Sequence, residues 1–139
     1  MALSKQEREQ FLSEAHIGAL SVVERPDRAP LTVPIWYQYT PGGELWVRTG
    51  PDSRKARAIR AAGRFSLMVE HTEPTVRYVS VEGPVTRWEA STDDQAWEMA
   101  ARYIPQDKVA GFVEFEKENL GEHVAIFLRP DHWLSADLG

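Results

Sequence analysis

Residues 31–39 read Leu-Thr-Val-Pro-Ile-Trp-Tyr-Gln-Tyr, and their alternation constrains the fold more than any other stretch. Leu31, Val33, Ile35, Tyr37 and Tyr39 fall on one side of an extended chain; Thr32, Pro34, Trp36 and Gln38 fall on the other. This period-2 pattern, rich in β-branched and aromatic residues, belongs to a strand with one face in a core. Pro34 has no N–H to give to a ladder, so an edge or a bulge is expected there. Pro41-Gly42-Gly43 then forms a hairpin turn into a second strand over 44–49.

Further strands are expected over 17–23, 65–69, 77–88, 124–128 and 133–136, with a bend in the third of these at Gly83-Pro84. The almost wholly apolar run Ile17–Val23 reads as a strand buried on both faces. Ser4 and Glu7 form a capping box that opens a helix over 5–14, and Thr92 with Gln95 forms another that opens a helix to about Tyr103. Asp52 or Ser53 caps a helix that runs through Ala62 and stops at Gly63. Residues 106–120 read as one or two short helices. Strands joined by hairpins, with no βαβ alternation, predict a mainly β (β+α) fold: a six- to seven-stranded antiparallel barrel with peripheral helices, one domain over 1–139.

Composition removes several kinds of chemistry. The 139 residues include no cysteine, which excludes disulfides, thiolate zinc sites and cysteine nucleophiles. The four histidines, at 16, 71, 123 and 132, lack ligand-like spacing, so no metal is expected. Glu114, Glu116 and Glu118 read as a solvated acidic face. The beginning of the chain lacks the apolar run of a signal peptide and no stretch is long enough to span a bilayer, so a cytoplasmic location away from the membrane is expected. A net charge of −5 argues against nucleic acid as a partner.

That charge is unevenly spread. Arg48, Arg54, Lys55, Arg57, Arg60 and Arg64 stand against Asp52 alone, a local charge of +5 that leaves −10 for the rest of the chain. Arg54 and Lys55 fall in the first turn of a helix, the end where its dipole disfavours cations. An anion resting on the free N–H groups would resolve the conflict, with Thr49 and Ser53 able to add hydroxyl donors. The segment also fits a solvated basic helix face paired with acidic neighbours.

Here the sequence resembles a known family. Ser53-Arg54-Lys55-Ala56, after Arg48-Thr49 and before Phe65-Ser66-Leu67, is similar to the flavin-phosphate segment of pyridoxamine 5′-phosphate oxidase and its FMN-binding split-barrel relatives, which include flavin- and deazaflavin-dependent oxidoreductases. Thr32-Val33-Pro34-Ile35-Trp36-Tyr37 resembles the family strand beneath the isoalloxazine ring, and Arg77 to Gly83 resembles its Arg-x-Val-x-Val-x-Gly strand. The three matches lie in the family's order and cover about 16–88.

The resemblance implies that Arg54 and Lys55 bind the cofactor phosphate, with Thr49 and Ser53 adding hydroxyl contacts. It implies main-chain contacts from Thr32, Val33, Pro34, Ile35, Trp36 and Tyr37 to the ring edge, and Arg48 beside the ribityl chain. Tyr78 would reach the flavin from a partner subunit, at a position that is usually Gln in the oxidase, and Trp133 corresponds to a Trp that flanks the cofactor. The implied cofactor is FMN or, alternatively, the deazaflavin coenzyme F-420, held at the interface of a homodimer. The Arg-x-His segment with which true pyridoxamine phosphate oxidases bind substrate phosphate has no counterpart in Trp133–Gly139. The expected activity is therefore hydride transfer to or from another small molecule, with no dedicated catalytic acid or base. A non-catalytic flavin or deazaflavin carrier, store or sensor is the alternative. A cofactor-free barrel binding another phosphorylated ligand also fits.

Overall fold

The computed structural model describes residues 1–139. Ser4 opens the first helix, α1 (Lys5–Ser13), through the expected capping box: its side chain accepts from Glu7 N–H while the Glu7 carboxylate accepts from Ser4 N–H. Then follow β1 (Gly18–Val22), β2 (Leu31–Ile35), β3 (Tyr37–Tyr39) and β4 (Leu45–Thr49). Next, α2 (Arg54–Ala62) leads to β5 (Arg64–His71) and the long β6 (Arg77–Ala90). The chain closes with α3 (Asp93–Tyr103), α4 (Gln106–Asn119), β7 (Val124–Leu128) and β8 (His132–Asp137). Ser53 caps α2, and Gly63 ends it at φ +73°, a left-handed conformation that costs glycine little.

The alternation over 31–39 keeps its phase, with Ile35, Tyr37 and Tyr39 all buried, but the segment is two strands rather than one. β2 pairs with β1, whereas β3 pairs with β4. The ladder runs β2-β1-β5-β6-β7-β4-β3, with β8 added on β6. Its two ends, β2 and β3, are therefore joined by the single residue Trp36. The barrel closes through the chain at that corner instead of through a hydrogen-bonded pair, leaving β2 an edge strand as Pro34 requires. This split antiparallel barrel with four helices is the expected fold, and the break at Trp36 accounts for an eighth strand.

β6 belongs to both halves of the barrel. Its first part pairs with β5 and β8, its last part with β7, and the register shifts between Val85 and Arg87, just past the bend expected at Gly83-Pro84. The core fills the barrel with Leu12, Leu20, Tyr37, Leu45, Leu67, Val81, Ile126 and their neighbours. A smaller cluster of Trp46, Met99, Ala125 and Phe127 seats α3 on the outside of β4 and β7.

One expectation needs correction. β1 alternates between buried and half-buried residues, so it has one core face rather than two. Residues 106–119 form one 14-residue helix, the single-helix alternative of the sequence reading. Trp97 is 48% exposed, because α3 turns its Ala96, Met99 and Ala100 stripe inward and leaves Trp97 outside.

Candidate functional site

The turn Gly50–Ser53 joins the end of β4 to the start of α2, and Ser53 N–H donates to the Gly50 carbonyl at 3.1 Å. The Thr49 and Ser53 hydroxyls meet at 3.0 Å, and Ser53 Oγ also accepts from Ala56 N–H at 3.2 Å. The N–H groups of Arg54 and Lys55, in the first turn, have no carbonyl a turn earlier to bond. Lys55 is half-buried and takes part in none of the chain's ion pairs.

Of this segment, Thr49, Gly50 and Lys55 line a hollow of about 380 Å³ beside the barrel's corner, while Ser53 reaches it only through the Thr49 hydroxyl. Pro34, Ile35 and Trp36 wall it from the free edge of β2, Arg48, Thr49 and Lys55 from the end of β4 and the start of α2. Six of the residues named from sequence thus converge on one surface. Trp36 stacks on Tyr103 of α3, ring centroids 4.8 Å apart and 17° from parallel, which fixes its indole at the rim. The volume lies at the lower end of the roughly 300–1,000 Å³ usual for small-molecule sites.

The other named residues have different surroundings. Arg54 points away from the hollow, and its Nε and Nη2 donate to Glu24 at 2.8 and 2.7 Å. Val33 packs against the core, and the Thr32 hydroxyl pairs with Ser21 Oγ at 3.0 Å on the exposed side of β2. Tyr37 is wholly buried, and its main-chain N–H and carbonyl are both bonded by the Tyr103 hydroxyl, so neither is free for a ligand. Burial pushes the Tyr37 phenol upward, and its hydroxyl donates to the Leu12 carbonyl at 2.7 Å. Trp133 faces the barrel interior, edge-on to Tyr39 and under the Arg8 guanidinium at 4.6 Å, apart from the hollow.

Tyr78 lies on the outer sheet face, in register with Glu70 and Ala136. The next row across that face runs Pro34, Ala19, Met68, Ser80, Leu134, so the hollow and the outer face share Pro34.

Sequence reasoning missed Ile17, Met99, Glu116 and His123, which complete the wall. Glu116 needs correction most, because it is no solvated residue. Its carboxylate accepts from Arg48 Nη2 at 2.7 Å, while Arg48 Nε donates to Ser91 Oγ at 2.6 Å, and the two side chains are only 13% and 8% exposed. The pair clamps α4 to the barrel and commits two nitrogens of Arg48. A sequence signal existed: Glu116 falls seven residues after Val109 and four after Phe112, on the inward stripe of the helix. His123 donates through Nδ1 to the Gly121 carbonyl at 3.1 Å.

An antiparallel barrel seamed at one corner, with a capped helix start beside the seam, defines the split β-barrel class. The chain belongs to the pyridoxamine 5′-phosphate oxidase family, whose family model matches residues 4–135. No curated protein matches it in sequence. Among solved structures it is similar to a conserved hypothetical protein of Mycobacterium tuberculosis at 24% identity, with TM-score 0.74 over 99% of this chain and 86% of that one. It is similar to an F-420 reductase, also at 24%, with TM-score 0.71 over 91% and 94%. A FAD-binding protein of Mesorhizobium loti shares 20% identity at TM-score 0.63, over 99% and 95%. The fold is thus the split barrel shared by these structures. No helix is long and apolar enough to cross a membrane.

Proposed function

We propose that the chain binds FMN or the deazaflavin coenzyme F-420 at this hollow and transfers hydride between it and a small molecule other than pyridoxamine phosphate. The observation that carries this reading is the convergence of Pro34, Ile35, Trp36, Arg48, Thr49 and Lys55 on one surface. The donor set suits a phosphate group: an unpaired ammonium, two free main-chain N–H groups and a hydroxyl pair, all at the positive end of a helix. The edge of β2 offers a planar ring an apolar bed beside Trp36. The cofactor supplies the hydride chemistry when bound.

The residues of this chain hold the phosphate, bed the ring and set its orientation. Arg48, fixed by Glu116 and Ser91, keeps a positive charge beside the hollow at constant geometry. A single copy leaves the hollow open on the side of Pro34. The outer face presents Leu134 at 64% exposure with Ala19, Met68 and Ser80, a flat surface suited to a second copy. In the homodimer so formed, Tyr78 would come from the partner. One domain acting in the cytoplasm completes the reading.

The absorbance spectrum of the purified protein distinguishes the two cofactors. Fluorescence titration with FMN and with F-420 then gives affinities for wild type and Lys55→Ala. Lys55→Ala should weaken binding about tenfold or more, as expected for loss of a charge-assisted contact. Wild-type binding of neither compound at micromolar concentration would end the proposal. Turnover of the reduced cofactor against a panel of acceptors separates an enzyme from a carrier.

A further inference from the structure

Arg54, the residue that the family resemblance assigns to the phosphate, is already gripped in a fork. Both Glu24 oxygens accept from it, Oε2 from Nε at 2.8 Å and Oε1 from Nη2 at 2.7 Å. A bidentate carboxylate occupies the same two donor positions that a phosphate oxygen pair takes on an arginine. Glu24 lies in the turn between β1 and β2, far from Arg54 in sequence. It offsets the misfit of a cation at the first turn of α2. The Arg54 hydrogen bonds hold the Glu24 carboxyl below the usual carboxylate range. Side-chain exposures of 64% for Arg54 and 28% for Glu24 make this a solvent-screened pair, open to exchange. Arg28 and Arg57 also lie close enough to act on Glu24, so a displaced carboxylate has cations to move to.

We propose that Glu24 is an internal competitor for the anion seat: its carboxylate fills the Arg54 fork in the free chain, and the phosphate group of the cofactor displaces it. The inference rests on the phosphate-seat reading above and adds a determinant of affinity and selectivity to it. A phosphate offers the fork an oxygen pair and the helix start further acceptors at the same time, so it outcompetes one carboxylate, whereas a ligand carrying only a carboxylate gains little by the exchange. Arg54 then swings from the turn to the ligand, and Lys55 and the two N–H groups need not move.

The test is a double-mutant cycle read by fluorescence titration with FMN, or with F-420 where FMN does not bind, at fixed ionic strength. Glu24→Gln should bind about two- to fivefold more tightly than wild type, the range of an exposed ion pair removed as competitor. In an Arg54→Gln background the same change should give no gain, because there is no fork left to contest. Glu24→Gln binding no tighter than wild type overturns the proposal. So does a full gain that persists without Arg54, since that would be a long-range field effect. Failure of the underlying seat looks different: wild type then binds neither coenzyme, or Lys55→Ala binds as well as wild type.

Discussion

Removing the Glu116 carboxylate tests whether the clamp between α4 and the barrel is a buried interaction or a surface ornament. Arg48 is 8% exposed and its partners are the Glu116 carboxylate and the Ser91 hydroxyl. In Glu116→Ala the guanidinium stays buried with one neutral partner. Breaking a buried pair from one side costs about 3–5 kcal/mol, and the residual exposure of both residues favours about 3 kcal/mol here. A domain of this size has only about 5–15 kcal/mol in all. At about 4 °C per kcal/mol, the melting temperature should fall by about 12 °C. Urea unfolding followed by tryptophan fluorescence measures the loss. Arg48→Met combined with Glu116→Leu should recover most of it, since an apolar pair of similar volume replaces a desolvated ionic one at little net cost. A loss under about 1 kcal/mol in the single variant, the value of an exposed pair, would refute the reasoning.

Gly83→Ala should destabilise the chain by about 3 kcal/mol or leave it unfolded, because a Cβ there would overlap the Arg129 carbonyl, which is backbone and has no rotamer to change; thermal melting checks this. Tyr37→Phe removes a hydroxyl that donates to the Leu12 carbonyl at 2.7 Å and contacts the Glu14 carbonyl at 3.0 Å, and should cost about 1–3 kcal/mol by chemical denaturation. Burial, the largest influence, lowers the His16 imidazole below its ordinary value of about 6.5. The unfolded chain therefore takes up a proton first, and stability is flat above about pH 6.5 and falls as pH drops below it. His16→Asn should flatten that part of a stability-against-pH curve, and an unchanged slope would assign it to other groups.

The elements with local chemistry were legible in the sequence. Ser4 with Glu7, Thr92 with Gln95, and Ser53 with Gly63 fixed three helices nearly to the residue, because capping is decided within four positions. The phase of 31–39 was legible for the same reason, since alternation is local. Its division at Trp36 was not. Which strand pairs with β2 and which with β3 depends on β1 and β4, and no residue in the segment encodes that choice. The site divided in the same way. Thr49 and Lys55 came from one local motif and meet at the hollow, with Ser53 behind Thr49. The partner of Arg54 lies 30 residues away and that of Arg48 lies 68 away, so their spacing carried no sign of either. Trp133 was placed by resemblance alone, and its strand parity turns it inward.

The corner at Trp36 has a mechanical consequence. Every strand pairing lies within one half of the barrel or the other, and the halves share hydrogen-bonded strands only through β6. They resemble two leaves on one spine, with the Ile35-Trp36-Tyr37 chain as a clasp on the opposite side. Spreading the leaves slightly at the clasp breaks no strand-to-strand bond, whereas the same displacement at the spine would break several. A ligand seated beside Trp36 therefore presses on the barrel where its circumference is cheapest to change.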